Sequence, residues 1–400
     1  MHVVVLGAGV IGVTTAYYLA ERGHRVTVLD RADEVAAGAS GGNGGQLSYS
    51  YTDAMASPAL LSKFPRIMAG LDPAFHVCPS LNPQLIYWGQ AFLRQCTRQQ
   101  FKKNTTEVLS LALRSAGLLA GLRSRTSLEF SFRQAGKLVM LNGPDALTGA
   151  EEVCILKRQN GSDAQVINFD QAVEIEPALQ AMKNQYSGAV YSPSDEVGNS
   201  LLFTSRLCNW LSTNTDTEFR LKTGVRKVIA RNRKLVAVET DNETFKPDAV
   251  VVCLGAWSNQ VLHPLGINTN IYPMRGYSVT LPIGDQPNSV SITDLGNKMV
   301  YSRLDDTIRI AGFADFVGYR TTKDAERVQK LLDTARRVAP SIADFTESSY
   351  GSWGGFRPMT PDSQPLIGPS KIQGVHLNTG HGSLGWTLAC ASGHDVAAGI

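Results

Sequence analysis

Residues 1–30 read MHVVVLGAGVIGVTTAYYLAERGHRVTVLD, and they decide the fold. Val3, Val4, Val5 and Leu6 form an unbroken β-branched and apolar run, the pattern of a strand buried on both faces. The run leads straight into Gly7-Ala8-Gly9-Val10-Ile11-Gly12. In a strand-to-helix turn of this kind Gly7 makes the turn, Gly9 lets a pyrophosphate approach the backbone, and Gly12 lets the next helix pack on the strand. The helix start offers free N–H groups and a positive dipole end to phosphate. A helix is expected from Ile11 to about Arg22, with Ala16 and Leu19 inward, ending at Gly23. A second strand over 25–29 ends at Asp30, eighteen positions beyond Gly12, where a carboxylate accepts hydrogen bonds from an adenosine ribose. Together these elements predict an ADP-containing dinucleotide, and by themselves they suit NAD as well as FAD.

Four hundred residues suggest two domains, sequential or interleaved. The chain is 43% hydrophobic and 18% charged, as in an ordinary globular protein, and its formal charge of +3 is too small to argue for nucleic acid. No apolar run approaches the roughly 18 residues of a membrane span. Because the first strand starts at once, no signal peptide is expected, and the chain is expected to act in the cytoplasm or on the cytoplasmic face of the inner membrane. Cys78, Cys96, Cys154, Cys208, Cys253 and Cys390 are scattered without a CxxC pair, so buried reduced thiols are expected rather than zinc or disulfides, and no metal site.

Further along, residues 31–46 are too rich in glycine and small residues for a regular element and suit an extended ligand. Residues 51–125 read as helical, with Arg94, Arg98, Lys102, Lys103, Arg114, Arg123 and Arg125 between 86 and 125 against the single acid Glu107. This basic stretch suits either a solvated helix face or an anionic membrane surface. Strands are predicted at 136–141, 188–191, 223–229, 235–240, 248–254, 277–281, 299–303 and 308–312, with helices over 200–212 and 323–338. Two dense clusters close the chain, Gly354-Gly-Phe-Arg357-Pro-Met-Thr-Pro-Asp362 and Asn378-Thr-Gly-His381-Gly-Ser-Leu-Gly-Trp-Thr387, the second opening a final helix.

With these clusters following a dinucleotide fingerprint, and with Leu254-Gly255-Ala256-Trp257-Ser258 and Tyr272-Pro-Met-Arg-Gly-Tyr277 between them, nearly the whole chain resembles the D-amino-acid oxidase and dehydrogenase superfamily of flavoproteins. Within it the resemblance is to the small subunit of the bacterial D-amino-acid dehydrogenases. It implies an α/β (α+β) architecture, in which a Rossmann-like FAD-binding domain of the glutathione-reductase type is interleaved with a substrate domain on a mixed, largely antiparallel sheet. The expected boundaries are 1–50, 165–265 and 350–400 for FAD, and 51–164 and 266–349 for substrate. The implied cofactor is non-covalent FAD, since no Cys lies between Cys253 and Cys390 and no His between 25 and 75.

By the same resemblance Gly7, Gly9, Val10, Ile11 and Gly12 meet the pyrophosphate, and Asp30 and Arg31 the ribose end, with Val225 beside adenine. Ser40, Asn43, Gly44, Gly45, Gln46 and Leu47 flank the ribityl chain and ring, and Leu254, Gly255 and Trp257 approach the dinucleotide. Gly382, Ser383, Leu384, Gly385, Trp386 and Thr387 bring amide groups and a helix dipole to the flavin pyrimidine edge, favouring the reduced ring. The chain departs from the dehydrogenases at Leu47-Ser-Tyr-Ser-Tyr51, where they commonly carry a proline and a glycine.

Oxidising an α-amino acid requires a held carboxylate, an uncharged amine, and a Cα–H aimed at flavin N5. An arginine fork suits the carboxylate. The candidates are Arg303, Arg309 and Arg357, with Arg357 and Arg303 preferred. Tyr272 and Tyr277 are candidates to add a hydroxyl, and His381 is a candidate base, although hydride transfer from a neutral amine requires none. The expected reaction is oxidative deamination of a D-amino acid to a 2-oxo acid and ammonia, with electrons passed to a quinone or another acceptor. The alternatives are an oxidase or dehydrogenase of glycine, sarcosine, proline or hydroxyproline, a tRNA-modifying flavin domain, and a subunit with purely structural FAD. No nucleic-acid partner is expected, and the oligomeric state is left open.

Overall fold

In the computed structural model, which describes residues 1–71, 75–78, 82–182, 185–322, 324–347 and 350–400, the opening apolar run becomes the strand His2–Leu6 inside a six-stranded sheet. Arg25–Leu29 and Ala249–Val252 flank it in parallel, with Val4 opposite Thr27 and Val250. Thr217–Arg220 and Val375–Thr379 extend the sheet in parallel on either side, and Leu366–Pro369 closes one edge antiparallel. The strand is buried on both faces because the pleat sends alternate residues into two different layers. Val3 and Val5 pack on the helices Val10–Glu21, Ser200–Asn214 and Gly385–Ala398. Val4 and Leu6 face Val228, Leu235 and Val238 of a three-stranded antiparallel sheet.

The long helix Arg98–Thr126 joins the first layer through Val108, Leu111, Ala112, Leu119 and Leu122. Of its basic residues, Arg114 pairs with Asp395 at 2.6 Å, Arg125 with Glu21 at 2.9 Å, and Arg123 lies over the Phe132 ring. Arg94, Arg98, Lys102 and Lys103 are exposed. Among the described residues no helix is long and apolar enough to cross a membrane. No disulfide joins the six cysteines; Cys78 and Cys208 are half-buried and the others buried.

The second sheet has nine strands. In spatial order they are Gly351–Met359, Tyr272–Pro282, Thr307–Phe316, Met299–Leu304, Ser291–Asp294, Lys137–Leu141, Gly188–Ser192 and Gln165–Asn168, with Phe75–Val77 paired to Thr307–Phe316. Only the pairings of Ser291–Asp294 with Lys137–Leu141 and of Phe75–Val77 are parallel. Helix Asp324–Val338 covers one face through Val328, Leu331 and Ala335; residue 323, included in the sequence-based helix, lies outside the described residues.

Three strands differ from the sequence-based division. Gln165–Asn168, Gly188–Ser192 and Gly351–Met359 all belong to the nine-stranded sheet, although they fall within 165–265 and 350–400. The reason is non-local: Gly188–Ser192 pairs with Lys137–Leu141, far behind it in the chain, and Gly351–Met359 with Tyr272–Pro282. The helix Arg98–Thr126, placed by sequence in the substrate segment, packs instead on the nucleotide core.

The first βα turn is set by two glycines. Gly7 has φ +105°, and a β-carbon on it would lie 2.6 Å from the Cys253 carbonyl oxygen. A β-carbon on Gly12 would stand 1.8 Å from the Gly7 carbonyl oxygen, a contact that only a shift of the helix relieves. Gly12→Ala is therefore expected to destabilise the fold by about 3 kcal/mol through overpacking, read as a lower thermal midpoint with loss of retained cofactor; an unchanged midpoint would show that the helix is not held this closely.

Candidate active site

The parallel strands His2–Leu6 and Val375–Thr379 both lead into helices at the carboxyl edge of the six-stranded sheet, the edge where open α/β sheets bind ligands. Neither helix Val10–Glu21 nor helix Gly385–Ala398 has an acidic residue in its first turn or a side-chain cap from its own N-cap residue. Both positive dipole ends are thus left for an outside anion. At the first, Ser40 Oγ accepts from Val10 N at 2.9 Å, which brings the glycine-rich loop against the turn. Asp30 accepts from Ala8 N at 2.7 Å and from Ala32 N at 2.9 Å, so its carboxylate is oriented from both sides. Thr223 N donates to Asp30 O at 2.8 Å, which carries the chain on to Val225 beside the same strand end. Arg31 lies over the Trp257 ring at 4.4 Å, and Trp257 stacks on Tyr319 at 4.3 Å. Two acid-free helix ends, a turn with no room for β-carbons and an oriented aspartate fit the pyrophosphate and ribose of an adenine dinucleotide.

The loop carrying Asn43, Gly44 and Gly45 crosses to the second sheet. A β-carbon on Gly44 would lie 3.0 Å from Val300, and one on Gly45 3.2 Å from Leu304, so the loop backbone rests directly on those strands. Arg309 ties it down, donating to Asn43 O at 3.0 Å and through Nε to Thr280 Oγ1 at 2.6 Å. Gln46 turns its carboxamide away from this surface. Its Nε2 donates to Ser291 Oγ at 2.6 Å and Ile292 O at 3.2 Å, while its Oε1 accepts from Lys137 at 2.8 Å and Thr293 at 3.3 Å. All four of its hydrogen-bonding positions are filled by protein, which leaves only the Gln46 backbone for a cofactor. Leu47 is buried in the helical core, and so is Trp386, whose ring packs on Phe203 and donates to Gly198 O at 3.1 Å. Thr387 Oγ1 accepts from Ser48 N at 3.0 Å, and Ser383 is exposed. Gly255 O accepts from Ser258 Oγ at 2.8 Å and Thr379 Oγ1 at 3.2 Å, and Leu254 packs as a half-buried residue on the core beneath.

On the strands of the second sheet, alternation separates the candidates for substrate. Tyr272 and Met274 stand on one face with their partners Met359 and Arg357; Tyr277 and its partner Gly354 stand on the other. Tyr277 is accordingly turned into the core, donating to Asp315 at 2.9 Å, and Asp315 is held by Arg327 at 2.6 Å. Desolvation raises the Tyr277 hydroxyl above its ordinary value. Tyr272 keeps the same face as Arg357 and lines a cavity of about 350 Å³ with Gln84, Phe316 and Tyr319.

The arginines differ in their partners. Arg275 is paired with Asp324 and Arg327 with Asp315. Arg303 folds back on its own hairpin, donating to Asp305 O at 3.0 Å. It pairs with Ile308, which pairs with Leu281, seven positions along the strand from the Met274 that pairs with Arg357. At about 3.3 Å per residue the two arginines stand about 23 Å apart along the strands and three strands apart across the sheet, so the sheet does not bring them together as one clamp. Among the described residues Arg309 is half-buried without an ion pair but is taken up by Thr280 and Asn43; Arg357, also half-buried without an ion pair, is not tied to the loop in this way. Its Nη1 donates to Phe313 O at 2.7 Å, and desolvation pulls its guanidinium below the ordinary value. Phe313 offers that carbonyl from φ +62°, a left-handed conformation that costs a bulky residue about 1–2 kcal/mol. Nothing in the sequence marks Phe313; only the bulge opposite Arg275 reveals it.

His381 is 4% exposed, its Nε2 has no partner, and burial lowers its pKa to about 3. Its ring is neutral at physiological pH. Among the described residues no three His, Cys, Asp or Glu side chains are placed to hold a metal.

Known proteins share this architecture over its full length. The family described as FAD dependent oxidoreductase matches residues 2–398. D-amino acid dehydrogenase 2 of Ralstonia nicotianae is 36% identical over 98% of this chain and 94% of that protein. D-amino acid dehydrogenase of Vibrio vulnificus is 35% identical over 98% of this chain and 94% of that protein. Among solved structures, glycine oxidase from Bacillus cereus covers 99% of this chain and 93% of its own at a TM-score of 0.73 and 21% identity. L-proline dehydrogenase from P. horikoshii covers 99% and 92% at 0.73 and 20%. With two open helix ends at one sheet edge, a glycine loop laid across a second sheet and an unpaired arginine beyond it, the chain belongs to the FAD-dependent oxidoreductases, and FAD is its cofactor.

Proposed function

We propose that this protein oxidises D-amino acids to 2-oxo acids and ammonia, with the six-stranded-sheet unit holding FAD and the nine-stranded sheet holding the amino acid. The observation that carries the reading is Arg357, which is desolvated, lacks a carboxylate partner among the described residues and spends one nitrogen on a single carbonyl, whereas Arg309, also desolvated and without a carboxylate, is taken up by Thr280 and the Asn43 carbonyl. A guanidinium in that state gains most from a planar carboxylate, because two parallel charged hydrogen bonds form where water competes least. FAD, when bound, supplies the hydride acceptor at its N5 atom. The chain's own work is to fix the carboxylate on Arg357, wall the site with the Tyr272 ring and exclude water, so that the Cα–H is presented in one orientation. Neutral His381 offers its unpaired Nε2 for orientation within the site, not a charge. The names of the full-length relatives support D-amino acids as the substrate class.

Electron transfer to a quinone or another acceptor is part of this reading. The exposed Arg94, Arg98, Lys102 and Lys103 offer a basic face toward an anionic membrane surface. The structural neighbours favour a second reading, an oxidase or dehydrogenase of glycine or a cyclic imino acid. Purified protein given D-alanine or D-proline, with and without a dye acceptor, separates them: D-alanine is expected to reduce the dye, and peroxide formed at the dye rate would sink the dehydrogenase reading.

Arg357→Met should raise the KM for D-amino acids roughly 100-fold, about 3 kcal/mol of lost charged hydrogen bonds, while FAD stays bound. Arg303→Met should change it less than about twofold, as expected for a half-buried side chain near a strand end that holds only its own turn. Equal effects of the two would reject Arg357 as the carboxylate site.

His381 also makes a prediction about pH. Its folded pKa of about 3 lies below the unfolded value of about 6.5. Between those values the unfolded chain binds a proton that the native chain does not, so stability is full above about 6.5 and declines as pH falls toward 3. His381→Asn should flatten that acid slope in thermal melts and leave the kcat–pH profile above pH 6 unaltered. A kcat limb near 6.5 abolished by this substitution would instead make His381 an acid–base group.

A further inference from the structure

Lys137 opens the strand Lys137–Leu141, between Ser291 and Ser192 on its two neighbours, and is only 1% exposed. Its ammonium donates to Gln46 Oε1 at 2.8 Å and Ser48 Oγ at 2.6 Å, and it lies 4.6 Å from the centre of the Tyr51 ring. All of these partners lie in residues 46–51, which follow Gly44 and Gly45 without a break. No carboxylate among the described residues is within ion-pair distance of Lys137. Asp195, also 1% exposed, accepts from Ser50 N at 3.0 Å and leaves its second oxygen unpartnered. Burial pulls the Lys137 ammonium down and the Asp195 carboxyl up from their ordinary values. Lys157 offers the contrast. It is equally buried but is paired with Asp53 at 2.7 Å.

We propose that Lys137 is a positioning residue for the flavin: its ammonium holds residues 46–48 through the Gln46 and Ser48 side chains and stands behind that loop as a positive charge that favours the reduced cofactor. Burying an ammonium without a contact counter-ion costs several kcal/mol, and a methionine of similar length would fill the same space without that cost. The charge does what a methionine cannot. Hydride uptake adds two electrons and one proton to a neutral oxidised ring and leaves an anion, which a fixed cation in a low-dielectric wall stabilises. Saturating Gln46 and Ser48 at the same time prevents the loop from shifting on the strands beneath Gly44 and Gly45. The inference rests on the cofactor and is independent of which amino acid is oxidised.

The test uses the FAD-loaded protein and no amino acid. FAD affinity is read from flavin fluorescence on reconstitution, and the midpoint potential from anaerobic equilibration with a reference dye. Lys137→Gln, which still donates to Gln46 and Ser48 but carries no charge, should keep FAD affinity within about threefold and lower the potential. Lys137→Met should lower the potential and also weaken FAD at least tenfold, about 1.4 kcal/mol. Lys157→Met should lower thermal stability and leave the potential in place. An unchanged potential in Lys137→Gln overturns the electrostatic role, as does an equal shift in Lys157→Met. Should the lysine variants not fold, Ser48→Ala removes one acceptor without changing charge: FAD affinity several-fold weaker at constant potential supports the positioning role, and unchanged affinity overturns it.

Discussion

The 1.8 Å that would separate a Gly12 β-carbon from the Gly7 carbonyl oxygen measures how closely the first helix sits on the first strand, and the rest of the nucleotide site depends on that closeness. It seats the start of helix Val10–Glu21 directly above the sheet edge, where its unsatisfied N–H groups are concentrated. The C-terminal helix repeats the arrangement beside it in the same layer. The two helices meet where a β-carbon on Gly393 would touch the Thr14 backbone at 3.2 Å, and Asn378 donates to Thr15 Oγ1 at 2.9 Å. Residues more than 360 positions apart thereby bring two positive helix ends to one edge. A cofactor carrying a pyrophosphate at one end and gaining charge on its ring at the other is matched at both.

The second sheet applies a different constraint. Side chains on a strand alternate, so Tyr272 and Tyr277, five positions apart, face opposite ways. One lines the cavity on the face of Arg357; the other locks the Asp315–Arg327 pair into the core under helix Asp324–Val338. Arginine chemistry is sorted in the same way. Arg275 and Arg327 are balanced by carboxylates, Arg309 holds loop carbonyls, Arg303 holds its own turn, and Arg357 is left with a single carbonyl from a strained residue. The segment between the two sheets is held by Lys137 of the second sheet, which binds Gln46 and Ser48, and by the turn and short strand after Gly188–Ser192, where Glu196 accepts from Tyr49 at 2.7 Å and Asp195 from Ser50.

Much of the nucleotide half was legible because its signals are local. The strand over 25–29, the helix ending just before Gly23 and the hairpin strands Val225–Arg231 and Lys234–Thr240 all follow from periodicity and breakers within a few residues, as does helix Asp324–Val338 in the other half. The strand Gly351–Met359 was not legible, since glycine and proline argue against a strand. Its glycines are needed by neighbours rather than by its own backbone: a β-carbon on Gly355 would overlap the Trp353 ring at 1.6 Å, and one on the facing Gly276 would meet the Arg357 guanidinium at 2.5 Å. The pairing of Arg303 with Arg357 failed for a related reason, because position along a strand carries no information about which strand lies beside it.

By itself the sequence pointed to a dinucleotide, through Gly7, Gly9, Gly12 and Asp30, and to a flavin only through the family resemblance carried by the clusters around Arg357 and His381. Backbone turns and helix starts are built from neighbouring residues, so their chemistry can be read in order along the chain. Only the tertiary structure decided which arginine is free, that Gln46 and Tyr277 are turned away from the site, and that Lys137 stands buried behind the flavin loop. Those outcomes depend on which partner fills each hydrogen bond and on which side of a pleat each residue falls, and both are settled by strands brought together from distant parts of the chain.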